Sequence, residues 1–283
     1  MKKCTYLLAI ILLIVAGCES KKTSPVSKIL YTFNNPSSPE VLVAAHRAVH
    51  LYYPENSLAA IQHAIDMGVA IIEIDVRQTM DGMLILMHDK TLERTTNGTG
   101  RVDSLMWSDI KKLSLKNAPD DSLTHFIPTL EQALLLGKNH LMFDLDNKSA
   151  SLRDLVALVQ KTETQKQVMF FDHDFAVLDS IKLLDPKLLV LPRAETFEEV
   201  KMAIARFNSP VIQINADIFT SAVDSTIKAA GANLWVNSLG KLDRKARKDS
   251  VQSAYLPFII GNADIVQTDN PDLWLKLLDE TRF

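Results

Sequence analysis

Between Val41 and Val102 the chain concentrates residue types that move protons and hold anions. It reads Val-Leu-Val-Ala-Ala-His46-Arg47, Pro54-Glu55-Asn56-Ser57, Glu73-Ile-Asp75-Val, Thr79-Met-Asp81-Gly82, His88-Asp89 and Arg94-Thr-Thr-Asn-Gly98-Thr-Gly100. His46, Arg47 and His88 stand at or beside the ends of apolar, strand-like runs, and Glu73 and Asp75 lie within another. An imidazole both takes and gives a proton near neutral pH. A guanidinium fork matches the oxygens of a phosphate. Carboxylates crowded away from water repel one another, and a bound divalent cation removes that cost. Oxygen-only ligands favour Mg²⁺ or Ca²⁺. Together these groups are the raw material for metal-assisted acid/base chemistry on an anion.

Such residues need a scaffold that brings them to one place. Eight short apolar runs recur along the chain: Val41–Ala45, Ala70–Val76, His140–Asp146, Val168–Phe171, Leu188–Leu191, Val211–Asn215, Asn233–Val236 and Ala263–Gln267. Most of the gaps carry helical periodicity, as in Ser57–Met67, the stretch opened by Pro128-Thr129, Leu152–Lys161, Phe175–Leu184, Thr196–Ala205 and Val223–Ala230. Strand and helix alternating in this way predict an α/β fold, a (β/α)₈ TIM barrel. An open doubly wound sheet is the alternative, but the chain has no Gly-rich dinucleotide loop. The interval from Val76 to Pro128 is too long for one helix. It holds a strand-like run, Met83–Met87, a Gly-rich turn and a short helical stretch, Ser108–Leu113. This predicts an inserted segment after the second strand, at about 83–125, over the active face.

In such a barrel the chemistry lies at the C-terminal strand ends. Residues two apart on a strand share a face, so Glu73 and Asp75 project together, as do Asp144 and Asp146. Asp172-His173, Arg193, Gln213, Asn215, Asn237 and Thr268-Asp269 fall near the later strand ends. Trp235 is expected either to stack on a sugar face at the mouth or to pack inside the barrel. The carboxylates could instead form structural ion pairs with Arg77, Arg193 or Lys148, and Arg47 could be an ordinary surface ion-pair partner. His50, His63, His125 and His140 have no supporting context.

The 283 residues carry a net charge of −3 and no basic block, which argues against a nucleic-acid partner. A basic head and an apolar run from Tyr6 to Val15 predict a signal peptide at 1–17. Val15-Ala16-Gly17-Cys18 resembles a bacterial lipobox, which implies a lipid on Cys18 and a protein anchored to a membrane of the bacterial cell envelope, periplasmic or outer-surface. Residues 18–40 are rich in Lys, Ser, Thr, Asn and Pro and are expected to be a flexible lipidated tether. The barrel domain is then 41–283. With Cys4 removed and Cys18 acylated, no thiol remains for a disulfide, so the core alone must supply stability.

The motifs quoted above, with Leu92-x-Arg94-Thr-Thr-x-Gly98, Ile127-Pro128-Thr129-Leu130-Glu131-x-Ala133-Leu134 and Ala263-Asp264-Ile-Val-x-Thr268-Asp269-x-Pro271, are similar in order and spacing to those of the glycerophosphodiester phosphodiesterases. The resemblance implies a TIM barrel with an insert after the second strand. It implies a divalent cation, Ca²⁺ or Mg²⁺, held by Glu73, Asp75 and a third-strand carboxylate, here Asp144. His46 and His88 would be the acid/base pair and Arg47 would hold the phosphate. A substrate hydroxyl beside the ester would attack phosphorus, and water would open the cyclic phosphodiester, giving glycerol 3-phosphate and an alcohol. The third strand departs from the family's usual Glu-x-Lys: it reads Asp144-Leu-Asp146, with Lys148 two residues on as a stand-in for the lysine or a further metal or substrate contact. Two other functions stay open. One is cleavage of a phosphoinositide-like or other hydroxylated phosphodiester through a cyclic phosphate. The other is a non-catalytic phosphodiester-binding lipoprotein, for which two titrating imidazoles would be superfluous.

Overall fold

A computed structural model describes residues 24–116, 122–260 and 262–281. Its frame is a closed barrel of parallel strands: β1 (Leu42–Ala45), β2 (Ile71–Gln78), β4 (Met142–Asn147), β5 (Val168–Asp172), β6 (Leu189–Ala194), β7 (Val211–Asn215), β8 (Asn233–Asn237) and β9 (Ile265–Thr268). β9 pairs back onto β1, and β1 onto β2, closing the ring. β3 (Leu84–Leu86) is the exception, an antiparallel strand that extends the upper half of β2. Each of the eight expected runs lies on one barrel strand.

The helices are α1 (Pro25–Phe33), α2 (Leu58–Asp66), α3 (Trp107–Ile110), α4 (Leu130–Gly137), α5 (Leu152–Lys161), α6 (Phe175–Leu184), α7 (Phe197–Phe207), α8 (Ser221–Ala229), α9 (Lys241–Lys248), α10 (Val251–Ile260) and α11 (Pro271–Glu280). Their starts are encoded locally. Ser57, Ser151, Asp174, Thr196 and Thr220 each accept a hydrogen bond from a first-turn backbone N–H. Thr129 and Gln132 form a reciprocal capping box at α4. Such caps satisfy donors that the first helical turn leaves free.

The alternation of strand residues sorts the core into two parts. Ile72, Ile74, Val76, Phe143 and Leu145 face outward to the helices. Leu42, Ile71, Met142, Met169, Leu191, Val211, Trp235 and Ile265 fill the barrel interior. Trp235 is fully buried there, and its indole N–H donates to Asn237 Oδ1 at 3.1 Å. Of its two expected roles, the structure gives packing, because the indole is enclosed by the apolar residues of the barrel interior. The insert carries its own small core of Ile85, Met87, Leu92, Val102, Ile110, Leu115 and Ile127. That core lets it hold a shape over the barrel rather than drape across it.

One expectation is corrected. The segment to residue 40 is not flexible tether throughout, because α1 closes the bottom of the barrel. Val26, Ile29, Leu30 and Phe33 recur at helical spacing and pack against the barrel interior. The backbone seals the join: Val26 N–H donates to Asn139 O at 3.2 Å, and Asn233 Nδ2 donates to Phe33 O at 2.7 Å. The proposed signal peptide, Cys18 and the start of the tether lie outside the described residues. Among the described residues, no helix is long and apolar enough to cross a membrane.

Candidate active site

β1 delivers His46 to the mouth, and the chain then turns sharply. Arg47 and Ala48 take positive φ values of 51° and 62°, a conformation uncommon for residues with a Cβ. The turn is held from beside it: Arg47 N–H donates to Glu73 Oε2 at 2.7 Å and Ala48 N–H to Glu73 O at 3.1 Å. His50, unassigned by sequence, closes the turn by donating from Nδ1 to His46 O at 2.8 Å.

Each of the two expected histidines is paired with a carboxylate through Nδ1. His46 Nδ1 is 2.7 Å from Asp269 Oδ1, at the end of β9. His88 Nδ1 is 2.7 Å from Asp89 Oδ1. A carboxylate on Nδ1 fixes the tautomer and ring orientation and leaves Nε2 free to exchange a proton. His46 Nε2 lies 4.0 Å from Glu73 Oε2. Asp269 is itself positioned, since its N–H donates to Asp243 Oδ2 at 2.6 Å. Asp243 also accepts from Ser238, Tyr255 and Thr268 hydroxyls. Burial pushes the Asp243 carboxyl above its ordinary range, against those hydrogen bonds.

On the other side, Arg94 grips Asp89 at 2.5 and 3.0 Å and Glu55 at 2.8 and 2.8 Å. Glu55 in turn accepts from Arg47 Nη1 at 3.1 Å. Arg77 donates from Nε and Nη2 to His88 O at 2.9 and 2.6 Å, fixing the backbone beneath the ring. Burial opposes ionisation of Glu55, but Arg94 and Arg47 outweigh it and hold the carboxyl low. The phosphate-binding candidate, Arg47, is thus aimed by Glu55, with its Nε 3.5 Å from Asp75 Oδ2.

Glu73, Asp75 and Asp146 offer oxygens that all lie within 4.8 Å of one another. Asp146, rather than Asp144, the residue expected to ligate, completes this cluster, and Asp144 lines the same cavity. In the β2–β4 register Glu73 lies opposite Asp144 and Asp75 opposite Asp146. Asp144 lies one inward position deeper than Asp146, at the register level of Glu73. Its Oδ1 is buried without a hydrogen bond, and burial, with repulsion from Asp146, raises its carboxyl well above the ordinary range. Glu73 is raised well too, by burial and then by Asp75, Asp146 and Asp144. Burial also works against Asp75, but Lys148, the Asn56 hydrogen bond, His88 and Arg47 hold it low. Asn56 grips Asp75 twice, donating from Nδ2 to Oδ2 at 2.7 Å and accepting from its N–H at 3.1 Å. Lys148 reaches back from the loop to Asp146 Oδ2 at 2.6 Å and Asp75 Oδ1 at 3.1 Å. The ammonium thus comes to the carboxylate cluster, although its Cα lies past the strand end.

A cavity of about 110 Å³ opens at this mouth, with His46, Glu73, Asp144 and Asp146 on one wall and Arg193, Gln213 and Asn237 on another. Larger hollows of about 470 and 490 Å³ flank α1 below the barrel and have no histidine in their walls. Sequence reasoning did not assign roles to Asp269, Asp89, Glu55, Asn56 or Arg94. The signals were present as the His88-Asp89 dipeptide, the Pro54–Ser57 stretch and the Thr268-Asp269 strand end.

Two carboxylate-backed imidazoles, an aimed guanidinium and a carboxylate trio meet at the C-terminal mouth of a (β/α)₈ barrel, groups able to move protons and hold an anion. The comparisons narrow that chemistry. Residues 46–236 match the model of the glycerophosphoryl diester phosphodiesterase family, and the chain belongs to that family. It is 30% identical over 216 residues to a glycerophosphodiester phosphodiesterase of Bacillus subtilis, covering 65% of this chain and 73% of that protein. It is 30% identical over 159 residues to one from Caldanaerobacter subterraneus subsp. tengcongensis, covering 53% of this chain and 65% of that one. A solved structure of a glycerophosphoryl diester phosphodiesterase from Parabacteroides distasonis superposes with a TM-score of 0.80 at 25% identity, covering 90% of this chain and 92% of the other. An Oleispira antarctica phosphodiesterase, solved with sn-glycerol-3-phosphate, has a TM-score of 0.71 at 22% identity, covering 89% and 99%.

Proposed function

We propose that this chain hydrolyses glycerophosphodiesters to glycerol 3-phosphate and an alcohol, with a divalent cation, Mg²⁺ or Ca²⁺, held by Glu73, Asp75 and Asp146. The observation that carries this reading is the pair of Nδ1-braced imidazoles flanking that carboxylate trio. The donor set fits the ion: three carboxylates brought together by adjacent strands, with two of them buried. Hard oxygen donors suit Mg²⁺ and Ca²⁺. When bound there, such an ion supplies a Lewis acid that polarises the phosphoryl group.

The protein's own residues supply the rest. Arg47 is held by Glu55 so that its guanidinium binds a non-bridging phosphate oxygen and offsets charge building there. One imidazole, neutral at the outset, takes the proton of the substrate hydroxyl beside the ester as that oxygen bonds to phosphorus. The other, protonated at the outset, gives its proton to the departing alcohol oxygen as its bond to phosphorus breaks. The proton positions have then exchanged, and the same pair in reversed roles activates water to open the cyclic phosphodiester. Asp269 and Asp89 stabilise each imidazolium in turn.

The test is ³¹P NMR of glycerophosphocholine turnover across a cation series. Glycerol 3-phosphate should accumulate with Mg²⁺ or Ca²⁺ and vanish with chelator. Persistent cyclic phosphate, or turnover unaffected by chelation, would contradict the reading. We further propose that Cys18 carries lipid and anchors the protein to the bacterial envelope. Mass spectrometry of the mature chain should find an acylated Cys18 N-terminus, and Cys18→Ser should release the protein from membranes.

A further inference from the structure

The wall of the mouth opposite the carboxylates has no part in the chemistry above, yet it carries unspent hydrogen-bonding groups. Gln213 is 1% exposed, and its Oε1 has no hydrogen-bond partner. Its Nε2 donates to Gln267 Oε1 at 3.1 Å, which turns Oε1 away from that neighbour. On the neighbouring strand Arg193 Nε is also buried without a hydrogen bond, its nearest carboxylate oxygen being Glu195 Oε1 at 4.0 Å. The guanidinium is pinned through Nη2, which donates to Asn215 Oδ1 at 2.6 Å. Arg193 and Gln213 are register partners on β6 and β7, so the two unpaired atoms belong to adjacent side chains on one face. Both line the same small cavity as Glu73 and Asp146. Buried polar atoms without partners are rare and costly in native proteins, and two on neighbouring side chains of one cavity call for a ligand.

We propose that Arg193 and Gln213 form a polyol subsite that recognises the terminal hydroxymethyl of the glycerol arm. This rests on the reaction proposed above. The pairing of atoms selects the chemistry. One donor beside one acceptor matches an alcohol, which accepts and donates at a single oxygen. A phosphate oxygen would be repelled by Gln213 Oε1. A quaternary ammonium offers neither a donor for Oε1 nor an acceptor for Nε. Drug-sized ligands need roughly 300 Å³ or more, so the cavity of about 110 Å³ suits a three-carbon unit rather than an acyl chain. The arm that carries the attacking hydroxyl therefore points across the mouth from the cation ligands to β6 and β7, and the leaving alcohol stays toward solvent.

The experiment compares glycerophosphocholine with ethylene glycol phosphocholine. The second keeps the phosphodiester and the neighbouring hydroxyl but lacks the third carbon and its hydroxyl. Wild-type kcat/KM should favour the glycerol compound by on the order of 100-fold, the scale on which sites built for a hydroxyl reject its absence. Gln213→Leu and Arg193→Met should each erase most of that preference by raising KM for glycerophosphocholine, and should leave the glycol compound within about twofold of wild type. An equal loss on both compounds, or an unchanged preference, overturns the subsite. If the wild type cleaves neither compound with any cation, the proposed reaction has failed and binding decides the subsite. Calorimetry should then show tighter binding of glycerol 3-phosphate than of ethylene glycol monophosphate, lost in Gln213→Leu; equal binding by the wild type would overturn it.

Discussion

The two histidines are held by different kinds of structure. His46 belongs to the barrel frame. Its carboxylate partner Asp269 ends β9 and is fixed by Asp243, a buried acceptor of four hydrogen bonds. His88 stands at the edge of the insert. Its partner Asp89 is fixed by Arg94, whose side chain is 46% exposed and also holds Glu55. One imidazole is positioned by core hydrogen bonds, the other by an ion-pair network open to water. The equal roles proposed for the two therefore rest on unequal supports, and damage to the two supports should look different.

Loss of either histidine should cost most, beginning with His46→Ala. General acid–base groups contribute ~10²–10⁴-fold, so kcat should fall by about 10³ with little change in melting temperature. His88→Ala should fall as far, since each imidazole serves in both half-reactions. Retained turnover in either variant would break the symmetry of roles. Next, Asp146→Asn should lower kcat/KM by about 10²-fold and weaken Mg²⁺ binding by calorimetry, because it removes a charged oxygen ligand. Asp144→Asn should change both far less. Asp144 sits outside the trio, and its carboxyl already resists ionisation.

The supports themselves come next. Asp243→Ala strands three hydroxyls and a backbone N–H, and should destabilise the fold by about 3 kcal/mol, read as a clear drop in melting temperature. Arg94→Ala breaks exposed ion pairs worth roughly 1 kcal/mol or less each. It should lower kcat by about tenfold through a loosened His88 while the melting temperature barely moves. If the two variants show the same balance of stability and activity loss, the contrast between frame and insert is void.

The smallest expected effect is a pH trend. Folding raises the Glu73 and Asp144 carboxyls, so the folded, metal-free protein holds protons that the unfolded chain has released. Their stabilising share is complete below the ordinary values, 4.5 for Glu73 and 3.8 for Asp144, and is lost as pH rises through the raised folded values. With chelator present, the melting temperature should therefore decline as pH rises above the ordinary carboxylate range. Saturating Mg²⁺ should flatten that decline, since the cation takes the place of the proton.

Much of this was legible in the chain. Apolar runs of strand length separated by helical periodicity specify the barrel, and spacing by two places Glu73 with Asp75 and Asp144 with Asp146 on inward faces. Depth was not legible. Which of Asp144 and Asp146 joins Glu73 depends on how β4 sits against β2, a property of closure rather than of spacing. The His46–Asp269 pair joins residues 223 positions apart, and no local pattern links them. The α1 helix was readable but masked: Val26, Ile29, Leu30 and Phe33 form an apolar stripe within a polar segment whose composition suggested a tether.

That helix also sets which way the molecule faces. Ser24 enters beneath the barrel, where Val26 joins the loop before β4, while His46 and His88 open at the far end. An attachment upstream of Ser24 would therefore hold the molecule by the end opposite the mouth. A chain held from that side would keep the mouth turned away from its attachment, with α1 and the barrel floor between the two.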